Sequence, residues 1–144
     1  MGAALFLRRD RFWAWGGWDE DFVFGGEDLE ICHRVNQQAP LMYLPHIEIT
    51  HFGRVSTREN IAYAWPNFAL GHVKYLRKTG TSRAALFAYK LGMTLDAPLQ
   101  ILLKGSQYLW RRLAGRQQDA AKSLLSLHGT WRFLCSGLGP FWQA

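Results

Sequence analysis

The sequence GGWDEDFVFGGEDLEICHR, residues 16–34, combines two glycine pairs with a dense group of carboxylates. Glycine adopts backbone conformations that other residues avoid, so each pair predicts a tight turn. Acidic residues follow the second pair directly, and Cys32, Val35 and Ala39 then recur at helical spacing. Negative charge is favoured in the first turn of a helix by the helix dipole. The stretch therefore predicts a loop that leads into a helix over residues 27–38.

The carboxylates at this predicted helix start permit two interpretations. Glu27 and Asp28 could form a site in which one carboxylate removes a proton while its neighbours hold hydroxyl groups. The same residues could equally be a solvated, acidic helix end with no chemical role. The residues alone leave both interpretations open.

Short apolar runs on either side of this stretch predict β-strands. Residues 3–7 have the composition of a short buried strand, and residues 41–44 form a second run. In residues 47–51, Ile47 and Ile49 alternate with polar residues, which is typical of a strand with one buried face, and His51 ends it. Residues 9–15 predict a brief helical or irregular link that ends in the first glycine pair.

The sequence after residue 60 predicts helices. A long first helix is indicated by apolar and aromatic residues at spacings of three or four, namely Ile61, Trp65, Phe68, His72 and Tyr75. Residues 56–59 have the spacing of a capping box before it, and Pro66 should bend it. Three further helices are predicted over residues 82–95, 98–113 and 119–127, with Gly129 closing the last.

Charge divides the chain into two parts. Residues 1–60 carry six Lys or Arg against nine Asp or Glu, whereas residues 61–144 carry eleven against only Asp96 and Asp119. The net charge of +6 therefore belongs entirely to the second part. Aromatic residues are interleaved with its cations, which suits a helix lying on an anionic membrane as well as helices with solvated basic faces. No nucleic-acid motif accompanies the basic residues, so nucleic acid is not an expected partner.

Length and composition place the protein in an ordinary class. A chain of 144 residues suits one domain, and an aromatic content of 15% is too high for a disordered chain. Cys32 and Cys135 have neither metal-site spacing nor a disulfide framework, and the N-terminus lacks the charge order of an export signal. Residues 84–103 are apolar, but Lys90, Asp96 and Pro98 disfavour a membrane span. A cytoplasmic protein is expected.

The acidic stretch resembles the acceptor-side signature of family 2 glycosyltransferases of the GT-A type. The resemblance consists of Gly-Gly-Trp-Asp-Glu at residues 16–20, Glu-Asp-Leu-Glu at residues 27–30, and Arg34. Flanking residues also match the family pattern: Gly2, Arg8, Arg9 and Phe12 before the signature, and Tyr43, Pro45 and His51 after it. The match is close over about residues 2–60. Within the family, the sequence is similar to rhamnosyltransferase-like enzymes of cell-surface polysaccharide synthesis.

This resemblance implies a fold, a set of roles and a reaction. The fold would be α/β, with the acceptor-side part of a GT-A core in residues 1–56 and a basic helical tail in residues 57–144. Asp28 matches the base that deprotonates the acceptor hydroxyl in an inverting transfer. The residues implied for acceptor binding are Trp18, Asp19, Glu20 and Glu27. His51 is implied as a metal ligand. Arg34 is expected to pair with a neighbouring carboxylate and so hold the loop.

The sequence also departs from the family. Enzymes of this type carry an earlier donor-binding half with an Asp-x-Asp motif, which holds Mn²⁺ or Mg²⁺ on the pyrophosphate. The sequence Asp19-Glu20-Asp21 has the Asp-x-Asp pattern, but it belongs to the acceptor signature and does not supply the metal-binding motif. We therefore expect a truncated chain that lacks the donor-binding half. The alternative is a non-catalytic remnant that binds a membrane or a partner.

The implied partners follow from the same resemblance. They are a nucleotide-sugar donor, a glycan or lipid-linked acceptor, and an anionic membrane surface. The implied location is the cytoplasm, with peripheral association at the inner face of the plasma membrane.

Overall fold

The computed structural model describes residues 4–52, 57 and 60–144, and its regular structure is helical. The elements are α1 (Arg9–Ala14), α2 (Glu27–Asn36), α3 (Ile61–Lys78), α4 (Arg83–Leu113), α5 (Gln117–Arg132), a π-helical turn (Phe133–Gly137) and α6 (Leu138–Gln143). The predicted capping box at residues 56–59 lies almost wholly outside the described residues.

The predicted α/β fold is wrong, because the described residues contain no β-strand. The runs expected to be strands, residues 4–7, 41–44 and 47–51, have no regular secondary structure. A strand is stable only when its backbone N–H and C=O groups pair with a neighbouring strand. These segments instead surround a shared cleft without pairing, and Phe6, Met42 and Tyr43 are exposed.

The helices α2 and α3 match the sequence prediction, and α4 differs from it. Pro66 lies inside α3, where the Asn67 side chain donates to the Tyr63 carbonyl at 2.8 Å. Two helices were predicted around Pro98, yet α4 runs without a break from Arg83 to Leu113. Pro98 is exposed, so its ring lies at the surface of α4 rather than in the packed core.

The prediction that Gly129 ends the last of these helices, α5, is wrong. The helix continues through it to Arg132. A Cβ at this position would lie 2.9 Å from the Ile61 carbonyl oxygen at the start of α3. The glycine therefore allows α5 and α3 to approach closely, which is the reason for its position within the helix.

The main core lies between α3, α4, the π-helical turn and α6. Its fully or almost fully buried members are Ala69, Val73, Ala97, Phe133 and Phe141. The rings of Phe133 and Phe141 meet edge to face, with 5.1 Å between their centroids. This aromatic pair provides most of the apolar volume of a small core.

The acidic loop and α2 pack on α3 through a contact between backbones. A Cβ on Gly71 of α3 would lie 1.8 Å from the Gly25 carbonyl oxygen. The same α3 surface meets Gly26, while Ile31 and Val35 are buried on α2. The absence of a side chain at Gly71 thus fixes the position of the loop that begins α2.

In the described part of the chain, none of the helices combines the length and apolar character needed to cross a bilayer.

Candidate functional site

The candidate site begins where the second glycine pair turns the chain into α2. Gly26 is the residue before the helix and has a left-handed backbone with φ of 95°. Glu27, Asp28 and Glu30 occupy the first turn, as the helix dipole favours. The turn directs these three carboxylates into different surroundings, so they can differ in role.

Asp28 faces a cleft of about 650 Å³. Its Oδ1 accepts a hydrogen bond from the backbone N–H of Leu29 at 2.9 Å, and its side chain is half-buried. Of the carboxylates in the described residues, Asp28 alone lines this cleft. A half-buried carboxylate at a cleft wall is accessible to a small molecule and is shielded in part from water.

The walls of the cleft are mostly apolar. They come from residues 4–8, from one side of α2, and from the segment between Ala39 and Ile49. Arg8 and Arg11 also line the cleft with exposed side chains, and the Arg8 guanidinium forms an ion pair with Asp10 at 2.9 Å. The cleft therefore combines one carboxylate, two cations and apolar walls, which suits a ligand with both anionic and apolar parts.

Arg34 holds the first glycine pair against α2. Its guanidinium donates to both carboxylate oxygens of Glu30, at 2.9 and 2.6 Å. It also donates to the carbonyl oxygens of Trp15 and, at 2.9 Å, of Gly17. The hydrogen bond to Glu30 raises the pKa of Arg34, and Glu30 is only 8% exposed. The prediction that Arg34 pairs with a carboxylate to hold the loop is confirmed.

Asp19 is bound to α3. Its carboxylate accepts a hydrogen bond from the Lys78 ammonium group, which also donates to Asp21 at 2.8 Å. Burial opposes ionisation of Asp19, but the hydrogen bonds from Lys78 and from the Asp21 backbone N–H, together with the charges of Lys78 and Arg34, outweigh it, so the pKa of Asp19 lies below its usual 3.8. Lys74 donates to the Asp21 carbonyl at 2.5 Å. Two lysines of α3 thus fix the acidic loop.

The remaining predicted acceptor residues differ in exposure. Trp18 is 50% exposed and meets the edge of Phe12, with 5.8 Å between ring centroids. Glu20 is exposed, whereas Glu27 has one carboxylate oxygen, Oε2, that is buried without a hydrogen-bond partner. Among the residues that the structure describes, Trp18, Asp19, Glu20 and Glu27 do not line the cleft of Asp28.

The predicted metal ligand His51 is exposed and lies in an irregular segment. Within the described ranges, no three His, Cys, Asp or Glu side chains come together as a set that could hold a metal ion. Among the described side chains, none therefore completes a divalent-cation site with His51.

Two residues of the cleft were not predicted to belong to a functional site. Arg11 lies in α1, one turn from Trp15, and both line the cleft. Cys32 lies one helical turn after Asp28, and burial together with the charge of Asp28 raises the pKa of its thiol. The spacing of four residues from Asp28 would have placed Cys32 on the same helix face, whereas no local pattern indicates Arg11.

Comparisons of the chain with protein-family models, with curated proteins and with solved structures find no match.

Proposed function

We propose that the protein is an inverting glycosyltransferase that moves a sugar from a nucleotide-sugar donor to a hydroxyl group of a glycan or lipid-linked acceptor. The observation that carries the proposal is the position of Asp28 at the wall of a cleft that also contains Arg8 and Arg11. The resemblance of residues 16–34 to the acceptor signature of family 2 glycosyltransferases supplies the reaction class.

Asp28 acts as the general base in this proposal. An acceptor hydroxyl is a poor nucleophile until its proton is removed. Asp28 takes that proton, the hydroxyl oxygen forms a bond to the anomeric carbon, and the bond between that carbon and the phosphate oxygen breaks. The electron pair of the broken bond leaves with the nucleotide. Attack from the face opposite the leaving group inverts the anomeric centre.

The two arginines support this reaction electrostatically. A nucleotide sugar carries negative charge on its pyrophosphate. Because the donor-binding half is expected to be missing, we assign to Arg8 and Arg11 only the long-range attraction of this charge towards the cleft. The divalent cation of the family remains a prediction, since the described residues present no ligand cluster for it and no step above depends on it.

Acceptor binding is assigned to the loop before α2. Trp18 exposes half of its surface and can stack on the apolar face of a sugar ring. Glu20 is exposed and can accept hydrogen bonds from sugar hydroxyls. Asp19 holds the loop through Lys78 and contributes by positioning its neighbours. For Glu27 the support for acceptor binding is the resemblance alone, because its unpartnered Oε2 is buried.

The test is a transfer and hydrolysis assay of the full native polypeptide with uridine, guanosine and thymidine diphosphate sugars, with Mn²⁺ or Mg²⁺ present. Asp28→Asn should reduce turnover by about 10²-fold or more, since general base catalysis contributes about 10²–10⁴-fold. Asp96→Asn makes the same chemical change at an exposed site on α4 and should leave turnover unchanged. Turnover of Asp28→Asn within a few-fold of the unsubstituted protein would remove Asp28 from the base role.

An inactive but folded protein would favour the alternative, a non-catalytic module that binds a membrane. In either case we place the protein in the cytoplasm, at the inner face of the plasma membrane. The basic residues of α4 and α5 are the support for this location, because anionic lipid attracts them.

A further inference from the structure

An unpartnered apolar surface of the described residues runs along α4. Its members are Leu91, Leu95, Leu99, Leu102, Leu109 and Leu113, which we call the α4 stripe. Their spacing of three, four or seven residues places them on one helix face, and their exposed fractions range from 40% to 86%. The stripe spans about 33 Å at 1.5 Å per residue.

The opposite face of α4 is the one that packs against the protein. Lys90 and Ala97 are buried there, and Met93 packs on the main core. Lys90 donates to the Trp142 carbonyl at 3.0 Å, and Arg111 donates to Ser123 of α5 at 2.6 Å. The fold therefore has no internal use for the α4 stripe, and six leucines remain in water.

Charge identifies what this surface contacts. Of the five basic residues of α4, Lys90 and Arg111 face the protein and Lys104 is half-buried, whereas Arg83 and Arg112 are exposed; Asp96 is its one acidic residue. Arg83 and Arg112 are exposed near its two ends, and Trp110 beside Arg112 is 70% exposed. Leucines in the middle, with cations and an indole at the margins, match the layers of an anionic lipid surface, where apolar side chains meet the acyl region and cations meet the headgroups.

The same charge argues against a second copy of the chain as the occupant. Residues 61–144 carry eleven basic residues and two acidic ones. A symmetric pairing of two α4 stripes would bring the like charges of this region together. Anionic lipid neutralises these charges instead.

We propose that the α4 stripe docks the protein on an anionic lipid bilayer, with α4 parallel to the membrane plane. This inference deepens the peripheral location in the proposed function and rests on it, and it is independent of sugar transfer. Docking would hold the cleft of Asp28 near a lipid-linked acceptor.

The test is flotation of the full native polypeptide with two kinds of vesicle, one of phosphatidylcholine alone and one containing about a third phosphatidylglycerol. The unsubstituted protein should float with the anionic vesicles, and added salt should weaken its binding. The triple variant Leu95→Gln, Leu102→Gln, Leu109→Gln should lose at least tenfold in affinity. Circular dichroism checks that its helices remain.

The matched control replaces three exposed apolar residues elsewhere, Val23→Gln, Phe52→Gln and Tyr63→Gln, and should bind vesicles like the unsubstituted protein. Asp28→Asn should do the same, which separates this inference from the proposed reaction. Equal loss in both triple variants, equal binding to neutral vesicles, or no flotation would overturn the inference. So would a dimer, detected by light scattering, that only the α4 variant dissociates.

Discussion

Lys78 determines how the acidic loop is attached, although it is far from that loop in sequence. It binds Asp19 and Asp21 and lies over the Phe22 ring, 5.4 Å from the ring centroid. Hydrogen bonds to Asp19 and then to Asp21 raise the pKa of Lys78 above its usual 10.5. The attachment therefore depends on two groups that titrate at opposite ends of the pH scale.

We expect the loop attachment to weaken outside a pH window set by these groups. The lowered pKa of Asp19 gives a stabilisation that is present above its ordinary value of 3.8 and is lost as pH falls through the folded-state value. The raised pKa of Lys78 gives a stabilisation that is present below 10.5 and is lost as pH rises through its folded-state value. Lys78→Met should raise the pKa of Asp19, measured by carboxyl carbon NMR.

A second ion pair provides the control for this measurement. Lys122 lies 3.1 Å from Asp119 within α5, and the pKa of Asp119 is also lowered. Lys122→Met should shift Asp119 alone and leave Asp19 unchanged. An unchanged pKa of Asp19 in Lys78→Met would show that the loop is held by other contacts.

At the scale of the elements, α3 is the support on which the candidate site is built. Its residue Gly71 receives the Gly25 backbone, and its last turn receives the acidic loop. The opposite end of α3 receives α5 at Gly129. One helix therefore connects the candidate site to the core.

We expect Gly71→Ala to lower the free energy of unfolding by about 1–3 kcal/mol, because its Cβ would overlap the Gly25 carbonyl. Alanine favours a helix interior over glycine by about 0.5–1 kcal/mol, so the clash must exceed that gain. Gly92→Ala on α4, where nothing lies within 4 Å, should gain that amount instead. Urea unfolding measures both variants, and a stabilised Gly71→Ala would contradict the backbone contact.

The sequence predicted those elements whose signals are local. Apolar spacing and flanking glycines located α2 and α3, and the pairing of Arg34 with a neighbouring carboxylate was predicted as well. The strand predictions were wrong. The alternation of apolar and polar residues in 47–51 indicates a preference for extended backbone, but a strand forms only where a second strand pairs with it. Pro98 predicted a boundary between two helices, but it is exposed and α4 continues through it. The bond between Lys78 and Asp19 joins residues 59 apart, which no local pattern records.

At the scale of the whole molecule, stability depends on a small core closed by the last helix. Phe141 of α6 is fully buried, and it contacts Phe133 and the ring of Tyr89. Trp142 accepts one hydrogen bond and donates another: its carbonyl accepts from Lys90, and its indole N–H donates to the Thr94 hydroxyl at 3.1 Å. Six residues at the end of the chain thus complete the packing of α3 and α4.

We expect Phe141→Ala to destabilise the protein by about 3–5 kcal/mol, the usual cost of removing a buried aromatic ring. Leu113→Ala removes an apolar side chain that is 86% exposed and should change stability by less than about 0.5 kcal/mol. Thermal unfolding followed by circular dichroism compares them. Equal effects of the two substitutions would show that α6 does not close the core.

The contact between Gly71 and Gly25 also restricts how this sequence can diverge over generations. A side chain at residue 71 is tolerated only after the loop has moved, and the loop is the segment that aligns the acidic residues. The two positions should therefore change together, although 46 residues separate them. In a relative that has lost the glycine at position 71, the acidic loop should no longer be under selection. The first visible sign of that divergence would be the substitution of this uncharged glycine.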